Sequence, residues 1–593
     1  MMQVSGARIV IECLVEQGVD VVFGYPGGTV LNIYDELFRN SGRIRHILTA
    51  HEQGAAHAAD GYARSTGRPG VVIATSGPGA TNLVTGIAAA YMDSVPLIAI
   101  TGNVPLALLG KDSFQEVDIT GVTMPITKHN FIVKDVRELA ATMRLAFEIA
   151  TTGRPGPVLV DITKDVTAAL TEWVPMEKAN AAPAATAPEA AEGLENAKAA
   201  VAARRAGGEA GFRFAAKPPR VVTVRDLDAA AALIASAQKP FIYAGGGVII
   251  AAAADELRAF VERLHAPCAL SLMGHGALPS DHPLFTGMIG MHGTKASNMA
   301  AGAADLLIAV GARFSDRVVS KISVFAKKAK ILHIDIDPAE INKNIKSFTS
   351  LVGDVKEILS GLLERLAPQD ASAWNGDIAA WKRERPTSHE SGKGLHPRFL
   401  LETISEKVGK DAFVTTEVGQ HQMWTAQFYP FSKPRTFITS GGLGAMGFGT
   451  GAAMGVQVAH PDAQVVHIAG DGSFRMNCAE LATIANYNLP ILIVVFNNGT
   501  LGMVRQWQTM FYEKRYCETT LDRPPDFVKL ADAYGLRGFR AREPGEFRDC
   551  LDAALSKRAP ALIECIIDID EKVLPIVPAG KPIDELILEA GER

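Results

Sequence analysis

The chain has 593 residues, too many for a single hydrophobic core, so length alone points to about three to four domains. Apolar residues make up 48% and charged residues 21%, as in ordinary globular enzymes, and a net charge of −5 gives no electrostatic case for binding nucleic acid or an anionic membrane. There is no run of about 18 apolar residues to span a bilayer. The six cysteines are scattered without a CxxC pair, which reads as buried thiols of a reducing compartment rather than a disulfide framework or zinc site. The first residues, MMQVSGARIVIECLVEQG, carry Glu12 and Glu16 in an amphipathic pattern unlike a signal peptide, so the expected compartment is the cytoplasm.

Residues 1–172 read as a first α/β unit. A helix over 7–17 is followed by strands at Val21–Phe23, Val71–Thr75, Pro96–Thr101 and Pro157–Asp161. Gly24-Tyr25-Pro26-Gly27-Gly28 forms a tight turn. Ser76-Gly77-Pro78-Gly79 leads into a helix whose first N–H groups suit an anion. His51-Glu52-Gln53-Gly54 opens a helix of small residues that a neighbouring backbone can approach closely. Residues 173–218 are Ala-rich with few large apolar side chains, and read as a linker or insertion, with a local helix over 192–205.

Residues 219–366 read as a second α/β unit. Phe241–Ala244 ends in Gly245-Gly246-Gly247, Asp305–Val310 ends in Gly311, and Lys330–Asp337 ends in acid. That outlines a dinucleotide site, but the spacing is not G-x-G-x-x-G, and a nucleotide-free structural domain fits equally well. Residues 367–395 are polar and read as a second linker, 396–575 as a third α/β unit, and 576–593 as a tail that reaches back over a surface. Alternating strands and helices predict doubly wound parallel sheets. The first and third units have similar size and alternation, which hints at a duplication.

The third unit carries the sharpest pattern, VVHIAGDGSFRMNCAELATIANYNLPILIVVFNN. Val465–Ala469 and Ile491–Phe496 are buried-strand runs joined by a helical pattern through Met476, Ala479, Leu481 and Ile484. Asp471 and Asn498 then fall at carboxyl ends of parallel strands, where open α/β sheets bind ligands. Their oxygens are hard donors, suited to a Mg2+ that also holds phosphate. Glu52, at a strand–helix junction among small residues, is placed to share a proton with a ring nitrogen. From spacing alone a helix-capping carboxylate is the commoner role.

GDG followed by NN resembles the signature of thiamine diphosphate-dependent enzymes. GYPGG, AHEQGAAHAADGYARSTG, ATSGPGATN, SFQEVDITG, GRPGPVLVDITKD, LMGHG, GMIGMHG, GARFSDR, HIDIDPAEI, GGLGAMGFG and NNGTLGMVRQWQ extend that resemblance to the acetohydroxyacid (acetolactate) synthase large-subunit family, over nearly the whole chain except the Ala-rich segment. The resemblance implies three doubly wound domains: pyrimidine-binding, central FAD-binding and diphosphate-binding. It implies thiamine diphosphate, Mg2+ and FAD as cofactors. Glu52 would contact the aminopyrimidine, Met446 would brace the folded cofactor, and Gly419, Gln420, His421, Gly472 and Ser473 would meet the diphosphate. Asp471, Asn498 and the Thr500 carbonyl would ligate Mg2+. Gly28, Gln115 and Lys164 would be catalytic with Glu52, and Phe114, Arg317 and Trp507 would contact the 2-oxo acid substrates. Arg154, Gly245, Gly246, Gly247, Met273, Gly274, Met291, His292, Gly293, Arg313, Asp335 and Asp354 would hold FAD, with no redox step to perform.

The implied reaction decarboxylates pyruvate and joins the two-carbon unit to a second pyruvate or to 2-oxobutanoate, the first common step of branched-chain amino-acid biosynthesis. A homodimer or tetramer with active sites at the subunit interface follows from the family, as does a small regulatory subunit as partner. Glyoxylate carboligase and pyruvate oxidase are the enzyme alternatives on this fold. Glu52 argues against the first, and the FQE and WQ segments against the second. A catabolic, flavin-free acetolactate synthase is disfavoured by GMHG and GARF. A purely regulatory binding protein on the same fold would be expected to lack Glu52, Asp471 or Asn498, and all three are present.

Overall fold

The computed structural model describes residues 2–176, 222–383 and 394–589. The Ala-rich stretch and its expected helix over 192–205 lie outside the described residues. Three six-stranded sheets, each with every strand pairing parallel, carry the architecture, and Met2–Ser5 with Leu170–Trp173 form a separate two-stranded antiparallel sheet. Among the described residues no helix is long and apolar enough to cross a membrane.

The N-terminal sheet runs, edge to edge, Arg45–Leu48, Val21–Gly24, Gly70–Ala74, Leu97–Asn103, Val158–Thr163 and His129–Val133. The C-terminal sheet runs Phe437–Ile438, Phe413–Thr416, Val465–Gly470, Ile491–Asn497, Ala561–Ile566 and Arg537–Ala541. Numbered by chain order within each sheet, both read 2-1-3-4-6-5, so the likeness suggested by their lengths extends to topology. The central sheet differs. Its strands run Phe285–Met288, Cys268–Leu270, Pro240–Ala244, Leu306–Val310, Lys330–Asp335 and Thr349–Val352, which is the order 3-2-1-4-5-6 of dinucleotide-binding sheets. Central strands are buried throughout because helices cover both faces, which is why they appear as unbroken apolar runs such as Ile491–Phe496.

By density of contacts the chain divides into two units, and neither is continuous in sequence. One contains the N-terminal sheet together with Gly442–Pro461 and Asn477–Leu489. Its centre is the pair of helices Glu52–Thr66 and Phe448–Ala459. Both are rich in Gly and Ala, as expected for a close crossing. A Cβ built on Gly455 would lie 1.8 Å from the Ala58 carbonyl oxygen, and one on Gly61 would lie 2.3 Å from that of Ala452. Arg64, nearly buried, pairs with Asp60 and, at 3.0 Å, with Asp93, and lies 5.3 Å from the centre of the Phe448 ring. The other oxygen of Asp93 accepts from Gly442 N–H at 2.7 Å, so one buried ionic group fixes the start of the Gly442–Pro461 segment.

The second unit holds the central and C-terminal sheets. Part of the stretch expected as a linker from 367 is a helix, Ser372–Arg383. Trp374 is 2% exposed, donates from its indole N–H to the Pro240 carbonyl and meets Trp381 edge-on. Those two aromatic anchors override the polar composition. The chain after residue 572 packs through Val573, Ile576, Val577 and Ile583, with Val577 N–H bonded to the Met291 carbonyl. The helical pattern expected after Asp471 is split into Asp471–Asn477, a 3-10 turn Cys478–Glu480 and Leu481–Asn486. Leu481 and Ile484 are buried as expected, whereas Met476 and Ala479 face outward.

The helix crossing sets a test. Gly455→Ala places a methyl group where backbone already stands, so unfolding in urea should show a loss of at least about 1–3 kcal/mol. Gly545→Ala, whose Cβ meets nothing within 4 Å, should change stability far less.

Candidate functional site

The strand order 2-1-3-4-6-5 reverses between its first and third strands, and the loops leaving those two strands diverge. That leaves a crevice at the carboxyl edge. In the C-terminal sheet the connection after Phe413–Thr416 ends at Gly419, the N-cap of a helix Gln420–Phe428 that opens with Gln420 and His421. Val465–Gly470 runs directly into the helix Asp471–Asn477, which opens with Asp471, Gly472 and Ser473, and the next strand ends at Asn497, followed by Asn498 and Thr500. The structure therefore gathers the expected diphosphate and metal residues at one sheet edge.

Asp471 is 1% exposed, and its Oδ2 has no hydrogen-bond partner among the described residues. Burial pushes its carboxyl up to about 7, while backbone N–H groups, including those of Gly472 and Gly499, and the charge of Arg475 pull the other way. A buried carboxylate with an open oxygen is costly unless a cation meets it. Asn498 Oδ1 accepts weakly from Thr500 N–H at 3.3 Å, and its amide donates to Gln420 Oε1. Gln420 is fixed in turn by donating to Gln506 Oε1 and the Glu571 carbonyl. His421 is buried with Nε2 unpartnered, and burial lowers it to about 3, so it stays neutral. Ser473 donates to the fully buried Glu417 at 2.8 Å. Among the described residues no three His, Cys, Asp or Glu side chains cluster as a metal site. The side-chain donors at this sheet edge are instead one carboxylate, Asp471, and one amide oxygen, Asn498, hard oxygens that fit Mg2+ shared with phosphate.

In the N-terminal unit Glu52 is the first residue of its helix. His51 supplies the cap, its Nδ1 accepting from Gln53 N–H at 3.1 Å. Glu52 itself is half-buried, with Oε2 accepting from the Asn82 amide at 2.9 Å. Its charge adds to the burial that raises the Tyr34 hydroxyl. Gly77 and Gln115 both adopt positive φ (60° each), and a side chain on Gly77 would strike the Gln115 backbone. Phe114 is 89% exposed, Gly28 and Lys164 are exposed, and Met446 is half-buried in the Gly442–Pro461 segment. Arg154 donates to Ser94 Oγ at 2.7 Å.

In the central sheet, Gly245-Gly246-Gly247 and Gly311 lie at the reversal between Pro240–Ala244 and Leu306–Val310. A Cβ on Gly245 would meet the Gly311 carbonyl at 2.4 Å, so this glycine is demanded by packing as well as by any ligand. Gly274, Met291-His292-Gly293 and Asp335 stand at or beyond the carboxyl ends of neighbouring strands, in keeping with a dinucleotide-sized group. His292 Nδ1 lies 3.4 Å from the Pro575 carbonyl. Asp354 caps the helix Val355–Leu363, with Oδ1 accepting from Lys356 and Glu357 N–H. Arg317 is largely exposed and lies 3.9 Å from the Met291 sulfur, and Trp507 stands edge-on to Phe511.

Two buried carboxylates escaped the motif reading. Glu417 lies beneath Ser473, and Glu480 is 1% exposed and accepts from the N–H groups of Ala50 and His51. For Glu480 the only signal was an acid immediately before an apolar helix, AELATI, which many surface helices show.

Comparison with known proteins agrees with this geometry. Three family models match: thiamine pyrophosphate enzyme, N-terminal TPP binding domain, over residues 4–122; central domain, over 227–362; and C-terminal TPP binding domain, over 417–565. The chain is 46% identical to a probable acetolactate synthase large subunit of Methanocaldococcus jannaschii, covering 98% of this chain and 95% of that one. It is 44% identical to the acetolactate synthase isozyme 2 large subunit of Escherichia coli (98% and 99%) and 44% identical to the acetolactate synthase large subunit of Corynebacterium glutamicum (100% and 91%). Three matched domains and near-full-length relatives lead to one conclusion: the chain belongs to the thiamine pyrophosphate enzymes, within the acetolactate synthase large-subunit family.

Proposed function

We propose that the protein is an acetolactate synthase, a carboligase that decarboxylates pyruvate and transfers the two-carbon unit to a second pyruvate or to 2-oxobutanoate. The observation that carries the reading is Asp471: a buried carboxylate with an unpartnered oxygen, at the crevice of a sheet matched by the thiamine pyrophosphate domain. Thiamine diphosphate, when bound, would supply the carbanion chemistry by which pyruvate loses CO2 and its two-carbon unit passes to the second 2-oxo acid.

The chain's own groups then have distinct tasks. Asp471, Asn498 and the Thr500 carbonyl hold Mg2+. Gly419, Gln420, His421, Gly472 and Ser473 would receive the diphosphate. Glu52 holds a proton at a ring nitrogen of the pyrimidine, and Asn82 keeps its carboxylate oriented. Met446 would support the bound cofactor. Gly28, Phe114, Gln115, Lys164, Arg317 and Trp507 serve substrate entry and selection, with the Arg317 guanidinium suited to a carboxylate. FAD is assigned to Arg154, Gly245–Gly247, Met273, Gly274, Met291–Gly293, Arg313, Asp335 and Asp354. The domain limits that fit this assignment are 1–172, 219–366 and 396–575. A homodimer or tetramer with active sites at the subunit interface, a small regulatory subunit and a cytoplasmic location complete the reading, supported by relatives named large subunit.

Purified protein given thiamine diphosphate, Mg2+, FAD and pyruvate should form acetolactate, shifting towards acetohydroxybutanoate when 2-oxobutanoate is added. Coupling of glyoxylate alone, or formation of acetyl phosphate, would overturn the assignment. Glu52→Gln should lower kcat about 100- to 10,000-fold, the usual range for a lost proton-transfer group. Asp471→Asn should weaken Mg2+-dependent cofactor binding about 100-fold, roughly 3 kcal/mol of lost attraction, while the metal-free protein melts no lower than wild type. Trp507→Leu should reduce the preference for 2-oxobutanoate over pyruvate by about tenfold in competition, since one methylene in a pocket is worth about 1–3 kcal/mol.

A further inference from the structure

Arg45–Leu48 is an edge strand, and the chain leaving it towards Glu52 has no neighbouring strand to take its outward N–H groups. They are taken by one short segment of the same unit, Asn477–Leu489. Leu48 N–H donates to the Tyr487 hydroxyl oxygen at 2.8 Å. Ala50 N–H donates to Glu480 Oε2 and His51 N–H to Glu480 Oε1, both at 3.0 Å. Glu480 is clamped from its own side by the Thr483 hydroxyl at 2.6 Å. It also abuts the turn beyond Glu52, since a Cβ on Gly54 would stand 2.0 Å from Glu480 Oε1. A carboxylate with both oxygens on consecutive backbone N–H groups fixes the direction in which that backbone enters the helix.

We infer that Glu480 is a positioning residue for Glu52: its two oxygens lock the backbone of Ala50 and His51 and so set where the Glu52 side chain begins. The inference rests on Glu52 being the acid that serves the pyrimidine. Burial raises the Glu480 carboxyl above its ordinary range, and the three donors around it work against that rise. Glutamine at 480 has the same shape but only one acceptor oxygen, and its amide would face a backbone N–H. Glu480→Gln therefore removes one anchor without opening a cavity.

Hydrogen–deuterium exchange on the cofactor-free protein reads the effect directly. In Glu480→Gln the amides of Ala50 and His51 should exchange at least tenfold faster, with the helix Phe448–Ala459 as protected as in wild type. In the reconstituted enzyme kcat should fall at least tenfold with KM for pyruvate within twofold. Tyr487→Phe, which frees only Leu48 N–H, should show a smaller fall. Unchanged exchange at Ala50 and His51, or loosening spread equally through Phe448–Ala459, would overturn the inference. A Glu52→Gln control run in parallel separates the two claims. If it retains full activity, the role of Glu52 fails; if it is inactive while Glu480→Gln behaves as wild type, only the role of Glu480 fails.

Discussion

A parallel sheet cannot turn back on itself, so a chain that reverses the direction in which strands are added must leave a gap between two outgoing loops. All three sheets here contain such a reversal, and the residues read as chemical lie beside it. In the C-terminal sheet the gap is bordered by the helix starts at 419–421 and 471–473, and in the central sheet by Gly245–Gly247 and Gly311. In the N-terminal sheet it is bordered by the 25–28 turn and the 75–79 turn, with Glu52 at the next strand's exit. Buried strands supply the stability, which leaves their carboxyl ends free to hold groups that stability alone would reject. Asp471 is the clearest of these, a carboxylate whose desolvation is only partly relieved by backbone N–H groups and Arg475, with Oδ2 left without a partner among the described residues.

The buried charges fall into two kinds. Arg64 is satisfied by opposite charge from Asp60 and Asp93, and Glu480 by backbone and hydroxyl donors. Both are closed arrangements that fix geometry. Asp471 is open, with one oxygen left over. The contrast between closed and open sites at similar burial separates scaffold from ligand-binding machinery without reference to any motif.

The fold class was legible because its signal is local. Runs such as Val465–Ala469 and Leu306–Val310 are buried on both faces and show it in five or six letters. Edge and half-buried strands were harder. His129–Val133 and Arg537–Ala541 are only partly buried and mix polar with apolar residues, so no run announces them. The helix Ser372–Arg383 was hidden because two tryptophans and Ile378 carry its packing in an otherwise polar stretch. Asp471, Asn498 and Glu52 stood out because glycines or a strand end flank them. Glu480 did not, because its partners are backbone N–H groups 429 and 430 positions away, which leave no trace in side-chain spacing.

The discontinuous make-up of the first unit bears on how this protein can be dissected. Its helix Glu52–Thr66 is covered by Phe448–Ala459, drawn from hundreds of residues downstream. A fragment ending near residue 172 would carry the whole N-terminal sheet yet expose a Gly- and Ala-lined helix face and leave Ala50 and His51 without their acceptor. Domain boundaries drawn along the sequence therefore do not mark where the polypeptide can be cut. A split-protein or domain-exchange design would have to move residues 442–461 and 477–489 with the N-terminal segment, as one inheritance unit.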